Sequence, residues 1–526
     1  METILSRNPA SGAVLRELQQ TPLEAIPALI TQAREAQKNW AVRPVKERIR
    51  ILLNAREFIL ENLDAIANLV CEENGKPKFE AIANDLLPAM ELMTTYCARA
   101  PKLLRSKKIS LRWAKHRKSH LQFWPKGVVA IISPWNYPFS IPFGEIALAL
   151  LAGNAVVFKP SEVTPLTGLK IAEIFDEACL PPGLLQVVLG DGSRGAAIIK
   201  AKADKICFTG SVATGKKVMA AAAENLTPVL LELGGKDPMI VLPDADLDYA
   251  TSAALWGGFS NSGQACASIE RILVHEKIHD EFVKRLHEKV RLLTHVGNDE
   301  AHAGDLGAIT FENQKLIYTK QLEELNAQNA RIVCGGSFSD EGRCLEPTIV
   351  TNPSSAQDNP IETTKIYNEE TFGPVVAVTK YKTTREAIEK ANRSRYGLLA
   401  SVIGRDLALA EQIAGQIEAG SVLINEVLYT HGLSETPWGG LKDSGFGRVH
   451  SDAGFYEFVN VRHVHQPRPW LPAFKSPWWF PYSQHQMSLF RAFAEVMYRR
   501  SILRKIKALP NLIVEFVQMI KSEKRY

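Results

Sequence analysis

The chain has 526 residues, 46% hydrophobic, 23% charged and 8% aromatic, a balance that excludes collagen-like, disordered and disulfide-scaffold classes. At roughly 150 residues per domain, the length implies about three domains. The net charge of +5 is unevenly placed: from residue 465 onward eleven Lys/Arg face three acids, a balance of +8, so the rest of the chain carries −3 and offers no charge-based case for nucleic acid.

Seven cysteines, at 71, 97, 179, 207, 266, 334 and 344, include no CxxC pair. This fits a reducing, cytoplasmic setting and argues against a zinc ribbon or a redox dithiol. The first twenty residues lack the basic start and apolar core of a secretory signal. The longest apolar runs, near 146–158 and 508–520, are too short to span a bilayer comfortably and contain Asn154 and Glu515.

Residues 21–100 read as helices, with Ala33, Ala36, Trp40 and then Ile49, Leu52, Leu53, Phe58 and Ile59 at three- and four-residue spacing. Residues 107–124 alternate, as a hairpin or arm would. Strand-like runs at 127–133, 154–160, 184–190 and 205–211 then alternate with helical runs at 146–152, 166–178, 195–203 and 215–223. A second alternating stretch runs from 228 to 425. Such alternation predicts two α/β units with parallel, doubly wound sheets, whose ligands bind beyond the carboxyl ends of the strands. Residues 455–465 alternate like an edge strand. A Pro/Trp stretch at 467–482 follows, then a helical tail at 487–508 and 510–522, broken at Pro510.

Several strand ends, and the turns and loops beside strands, carry residues with chemical potential. Cys266, in GQAC, sits in a small polar turn; a cysteine between alanines also reads as a buried hydrophobe, but no side chain is more readily nucleophilic near neutral pH. Glu232, in ELGGK, is either a solvated turn residue or a general base. Gly210, Ser211 and Gly215 close a strand and open a helix, a place for pyrophosphate, although GSVATG departs from the GxGxxG spacing. Lys159, Ser161 and Glu162 close the preceding strand. Glu162 suits either a ribose hydroxyl or the N-terminal region of the next helix. Asn136, pinned between Pro134 and Pro138, can aim an amide donor at developing negative charge.

In order, PWNYP (134–138), KPSE (159–162), FTGS (208–211), ELGGK (232–236), GQAC (263–266), EETFGP (369–374) and PWGGLKDSGFGR (437–448) resemble the NAD(P)-dependent aldehyde dehydrogenase superfamily from about residue 7 to 465. The resemblance implies Cys266 as nucleophile, Glu232 as general base and Asn136 as half of an oxyanion hole. It implies a cofactor, NAD with NADP as the alternative, held by Trp135, Lys159, Ser161, Glu162, Gly210, Ser211, Gly215, Leu233, Glu370 and Phe372; no metal is expected. The implied organisation is a cofactor-binding domain at 1–106 and 125–234, a catalytic domain at 235–435 and a return segment at 436–454. The implied β-arm, 107–124 with 455–466, would join a homodimer or homotetramer.

The segment 467–526 departs from typical members. Trp470, Trp478 and Trp479 precede a basic amphipathic helix, which suits a peripheral membrane contact or a helix packed on the body. Taken together, these features predict oxidation of an aldehyde to the acid through a thiohemiacetal and a thioester, on an apolar or long-chain substrate. The alternatives are a catalytically silent membrane-docked protein, against which the intact Cys266, Glu232 and Asn136 speak, and an NADP-linked semialdehyde dehydrogenase.

Overall fold

A computed structural model describes residues 2–296, 301–328, 330–339, 342–352, 360–468 and 476–523. They divide into two units, Met1–Ser106 with Gln122–Arg462, and Lys107–Leu121 with His463–Tyr526.

The first unit opens with a hairpin, β1 (Thr3–Arg7) and β2 (Val14–Gln19), that the hydrophobic pattern did not announce. Helices α1 (Ile26–Ala41), α2 (Val45–Glu61), α3 (Leu63–Asn74) and α4 (Leu87–Leu103) follow, each burying one stripe, such as Ile26, Ile30, Ala33 and Trp40. Strands β3 (Lys107–Ile109) and β4 (Arg117–Pro125) fall in the predicted arm.

Next come β5 (Val128–Ile132), α5 (Ser140–Ala152), β6 (Ala155–Lys159), α6 (Pro165–Glu177), β7 (Leu185–Val187), α7 (Gly192–Lys200), β8 (Lys205–Gly210), α8 (Val212–Ala223) and β9 (Val229–Leu233). The strands form a parallel sheet in the order β9-β8-β5-β6-β7. β5 and β6 are buried throughout, as a continuous apolar run requires when helices cover both faces. Helix α5 ends at Gly153, whose φ of 99° is the left-handed cap that glycine accepts without strain.

A second sheet holds β10 (Asp237–Val241), β11 (Ile269–His275), β12 (Arg331–Cys334), β13 (Thr348–Thr351), β14 (Val375–Tyr381), β15 (Leu399–Ile403) and β16 (Ser421–Ile424). Its order is β12-β13-β14-β11-β10-β15-β16, antiparallel only at β12. Helices α9 (Leu247–Phe259), α10 (His279–Val290), α11 (Glu312–Ala327), α12 (Thr384–Asn392) and α13 (Leu407–Ala414) cover it. Alternation puts Ile240 and Leu273 on the face of α11–α13, and Met239, Val241 and Ile272 on the face of α9 and α10. Both sheets are therefore doubly wound, as the alternation predicts. β17 (Gly445–Phe446) then returns to the first sheet, antiparallel to β9 with Gly445 opposite Glu232.

Several boundaries differ from expectation, α5 opening at Ser140 and not at 146 among them. The edge strand is β18 (Val459–Pro467), not 455–465, because Phe455 and Tyr456 end the short helix α14 (Ser451–Tyr456), where Phe455 stacks on Tyr96 at 6.0 Å. In the second unit, the tail breaks at Arg499–Ser501 between α15 (Gln484–Tyr498) and α16 (Ile502–Glu523), and Pro510 lies inside α16. Proline removes one backbone hydrogen bond, yet α16 runs on through it and packs against α15. A Ser483–Gln486 capping box opens α15. Trp113 stacks on Trp478 at 5.5 Å and meets Phe493 edge-on, while Trp470 lies outside the described residues. Among the described residues no helix is long and apolar enough to cross a membrane.

Candidate active site

The first sheet delivers its polar residues at the carboxyl ends of its strands. Asn136 follows β5, Lys159 ends β6, Ser211 follows β8 and Glu232 lies near the end of β9. Cys266 stands on the loop before β11. These converge on a cavity of about 730 Å³, which Trp135, Glu162, Gly210, Leu233, Glu370 and Phe372 also line.

The cysteine loop is held from far away in the chain. Buried Asn261 and Ser262 have φ of 52° and 53°, a conformation that costs non-glycine residues energy and persists only under constraint. Glu80 supplies part of that constraint, accepting from Ser260 Oγ at 2.7 Å and Asn261 N–H at 2.8 Å. Gln264 adds to it by accepting from Thr310 N–H at 2.9 Å. Asn136 donates through Nδ2 to the Gln264 carbonyl at 3.0 Å, two residues before Cys266. Its own carbonyl accepts from Lys76 Nζ at 2.9 Å and Asn261 Nδ2 at 3.0 Å. The fully buried pair Lys76–Asp85, 2.6 Å apart, anchors that contact, and Asp85 also accepts from the amides of Phe139 and Ser140.

Burial, and then the carboxylates of Glu370, Asp237 and Glu232, hold the Cys266 thiol above its ordinary range. Burial is also the main reason that Glu232 lies well above the carboxylate range; Glu145 raises it further, while Arg448 and Trp438 oppose. Glu370 is raised to about 8 by burial and the nearby Glu270 charge, and accepts from Gly235 N–H at 3.0 Å. Gly234 permits this approach, since a Cβ there would sit 2.2 Å from Glu370 Oε2. Behind Glu370, the buried pair Lys236–Glu270 fixes the chain: Glu270 accepts from the amides of Thr371 at 2.8 Å and Phe372 at 2.9 Å. Phe372, at φ 58°, meets Trp135 edge-on at 5.4 Å.

At the other end of the cavity Lys159 Nζ lies 3.2 Å from Glu162. Ser211 caps α8, accepting from Thr214 N–H at 3.3 Å. The first-turn amides of α8 have no partner within the helix and favour an anion. Two expected residues lie off the wall. Ser161 accepts from Val163 N–H at 3.2 Å instead of facing the cavity. Gly215 is one turn inside α8, where a Cβ would meet Leu233 Cδ2 at 2.6 Å.

Residues 1–464 match the family described as "Aldehyde dehydrogenase family". The chain belongs to this family. The enzyme is 38% identical over 500 residues to a 4,4'-diapolycopene aldehyde oxidase of Methylomonas sp, a match covering 95% of this chain and 92% of that one. It is 35% identical to a chloroplastic betaine aldehyde dehydrogenase of Atriplex hortensis, over 87% of this chain and 91% of the relative. Among solved structures it resembles a betaine aldehyde dehydrogenase of Staphylococcus aureus in complex with NAD+. That pair has a TM-score of 0.84 and 31% identity, with 91% and 96% of the two chains covered.

What sequence reasoning missed in this aldehyde dehydrogenase is the supporting shell: Glu80, Lys76–Asp85, Lys236–Glu270 and, within α5, Glu145. The available signal was an acid inside an apolar run, as in SIPFGEIALALLA, which is costly to bury without a purpose. Glu80 and Asn261, 181 residues apart, gave no local sign of meeting.

Proposed function

We propose that the enzyme oxidises an aldehyde to the carboxylic acid with NAD, through a thiohemiacetal and then a thioester on Cys266. The convergence of Cys266, Glu232 and Asn136 on one cavity, whose remainder suits a dinucleotide, is the observation that carries this assignment. The fit is chemical. Lys159 and Glu162 would hold one ribose, Gly210, Ser211 and the α8 amides the pyrophosphate, and Glu370 the second ribose, with Phe372 and Trp135 beside the nicotinamide. When bound, NAD supplies the hydride acceptor. Glu162 favours NAD because it would repel a 2′-phosphate.

Cys266, once deprotonated, attacks the carbonyl carbon, and the Asn136 amide with the Cys266 backbone N–H receives the oxyanion. Each such donor contributes about 2.7–4 kcal/mol. Glu232, when ionised, is a stronger base than an ordinary carboxylate because its burial disfavours the charge. It takes a proton from the water that attacks the thioester carbon; the C–S bond breaks and the acid leaves.

Three further parts belong to this proposal. The domains run as the family resemblance implies, with 1–106 and 125–234 binding cofactor, 235–435 catalytic and 436–454 a return segment. The arm strands β3, β4 and β18 join a homo-oligomer. The substrate is an apolar, long-chain aldehyde taken up near a membrane. Its support is the relative named for a diapolycopene aldehyde, together with exposed Ile502, Leu503 and Ile506 beside Arg504, Lys505 and Lys507 on α16, a surface suited to anionic lipid.

The test is NADH formation across short, aromatic, long-chain and polyene aldehydes, with NADP in parallel. Turnover should be greatest with long apolar aldehydes and NAD, and Cys266→Ala should abolish it while NAD still binds. Absence of turnover with every aldehyde by folded protein overturns the assignment.

A further inference from the structure

Behind the Cys266 thiol lies a second, small cavity of about 30 Å³, walled in part by Ser140, Glu145, Thr209, Glu232, Cys266 and His450. Glu145 is 4% exposed, set in the otherwise apolar helix α5, and the chemistry above leaves it without a task. Among the buried atoms of this wall, Ser140 Oγ, Thr209 Oγ1 and Glu145 Oε2 have no hydrogen-bond partner in the protein. Buried polar atoms are ordinarily satisfied, and a cavity of this size with polar groups on its wall admits a water molecule with two to four partners.

We propose that water in this cavity links Glu232 to Glu145, and that Glu145 accepts the proton which Glu232 removes from the hydrolytic water, as a positioning residue for thioester hydrolysis. This rests on the base role of Glu232 given above. In the step, the water oxygen bonds to the thioester carbon, the C–S bond breaks and Cys266 departs as thiolate. The water proton goes to Glu232, then across the cavity water to the Glu145 carboxylate, and is released to solvent once per turnover. Nothing is oxidised or reduced. Burial holds Glu145 at about 8, with Lys205 opposing, so its carboxylate takes up a proton readily and the step draws on the ionised fraction, which grows as pH rises toward 8.

The charged and titratable groups around this pair are known. Glu232 is faced by Glu145, Arg448 and Glu457; Glu145 by Lys205, itself paired with Glu457 at 2.6 Å, and by Cys207. Cys266 and His450 complete the wall. Removing the Glu145 charge should lower the pKa of Glu232, so the acid limb of the rate profile should move to lower pH while its plateau falls. A packing defect would lower the rate without moving that limb.

The experiment follows NADH formation in Glu145→Gln, Glu145→Asp and Glu232→Gln beside the unaltered enzyme. In Glu145→Gln the first-turnover burst should persist and the steady rate should fall about a hundredfold, the lower end for a positioned proton acceptor. Glu145→Asp should recover part of that loss. An unchanged steady rate and profile in Glu145→Gln, with Glu232→Gln slowed after its burst, overturns the proton path and leaves the base role standing. An unslowed Glu232→Gln overturns both. Should Glu145→Gln not fold, a crystal structure of the unaltered enzyme decides: ordered water between Glu145 and Glu232 supports the path, and a dry cavity overturns it.

Discussion

Helices α5 and α16 carry much of the chain's two longest apolar runs, yet they end in opposite surroundings. In α5 nearly every residue is buried, including Leu148, Leu150 and Leu151. In α16, Ile502 and Leu503 are each 73% exposed and Ile506 is 61% exposed. The difference lies in where polar residues fall. α5 is apolar on all sides and needs to be enclosed on all sides, which the first sheet and helices α1, α2 and α4 achieve; Trp40 Nε1, for example, donates to the Leu150 carbonyl at 2.8 Å. α16 interleaves Arg504, Lys505 and Lys507 with its apolar residues, and α15 covers only one of its faces. An enclosed helix can hold a buried acid beside a reactive thiol, whereas an open one offers a surface.

If the enclosed region carries the chemistry, Glu232→Gln should lower the steady rate by roughly 10²–10⁴-fold and leave a burst of one NADH per site, read by stopped-flow absorbance. Equal burst and steady rates would place the base elsewhere. The helices should also differ in stability. Leu150→Ala in α5 should cost about 2–5 kcal/mol by denaturant unfolding, and Leu503→Ala in α16 no more than about 0.5 kcal/mol. Similar costs would erase the contrast.

A smaller effect concerns pH. Glu145 and Glu370 are both raised to about 8, so the folded state binds protons that the unfolded chain has released. Their contribution is therefore fully present below the ordinary carboxylate range and is lost as pH climbs toward 8. Glu145→Gln should flatten the decline of Tm between pH 5 and 8, as scanning calorimetry would show; an unaltered slope would mean that Glu145 is not held protonated. The smallest effect on folding should come from Leu503→Asp with Ile506→Asp. Tm should hardly change, while sedimentation with anionic vesicles should drop. Undiminished sedimentation removes the membrane surface from α16.

Much of this was legible beforehand. The alternation of 127–223 and 228–425 specified two doubly wound sheets, and Cys266, Glu232 and Asn136, picked out from the turns and loops that flank strands, line one cavity. Less legible were residues whose role depends on a partner. Ser161 and Gly215 stand near lining residues in the chain but are not on the cavity wall, and helix α14 displaced part of the expected edge strand because Phe455 found Tyr96.

The sequence alone determined most of the element types and the layering of the two sheets, because side-chain periodicity is a local property set by neighbours two to four residues away. Only the tertiary structure decided that Glu80 would brace the Cys266 loop, that Glu145 would share a cavity with Glu232, and that the apolar face of α16 would stay open. Each depends on packing between segments far apart in the chain, where burial and charge act across space with no trace in local spacing.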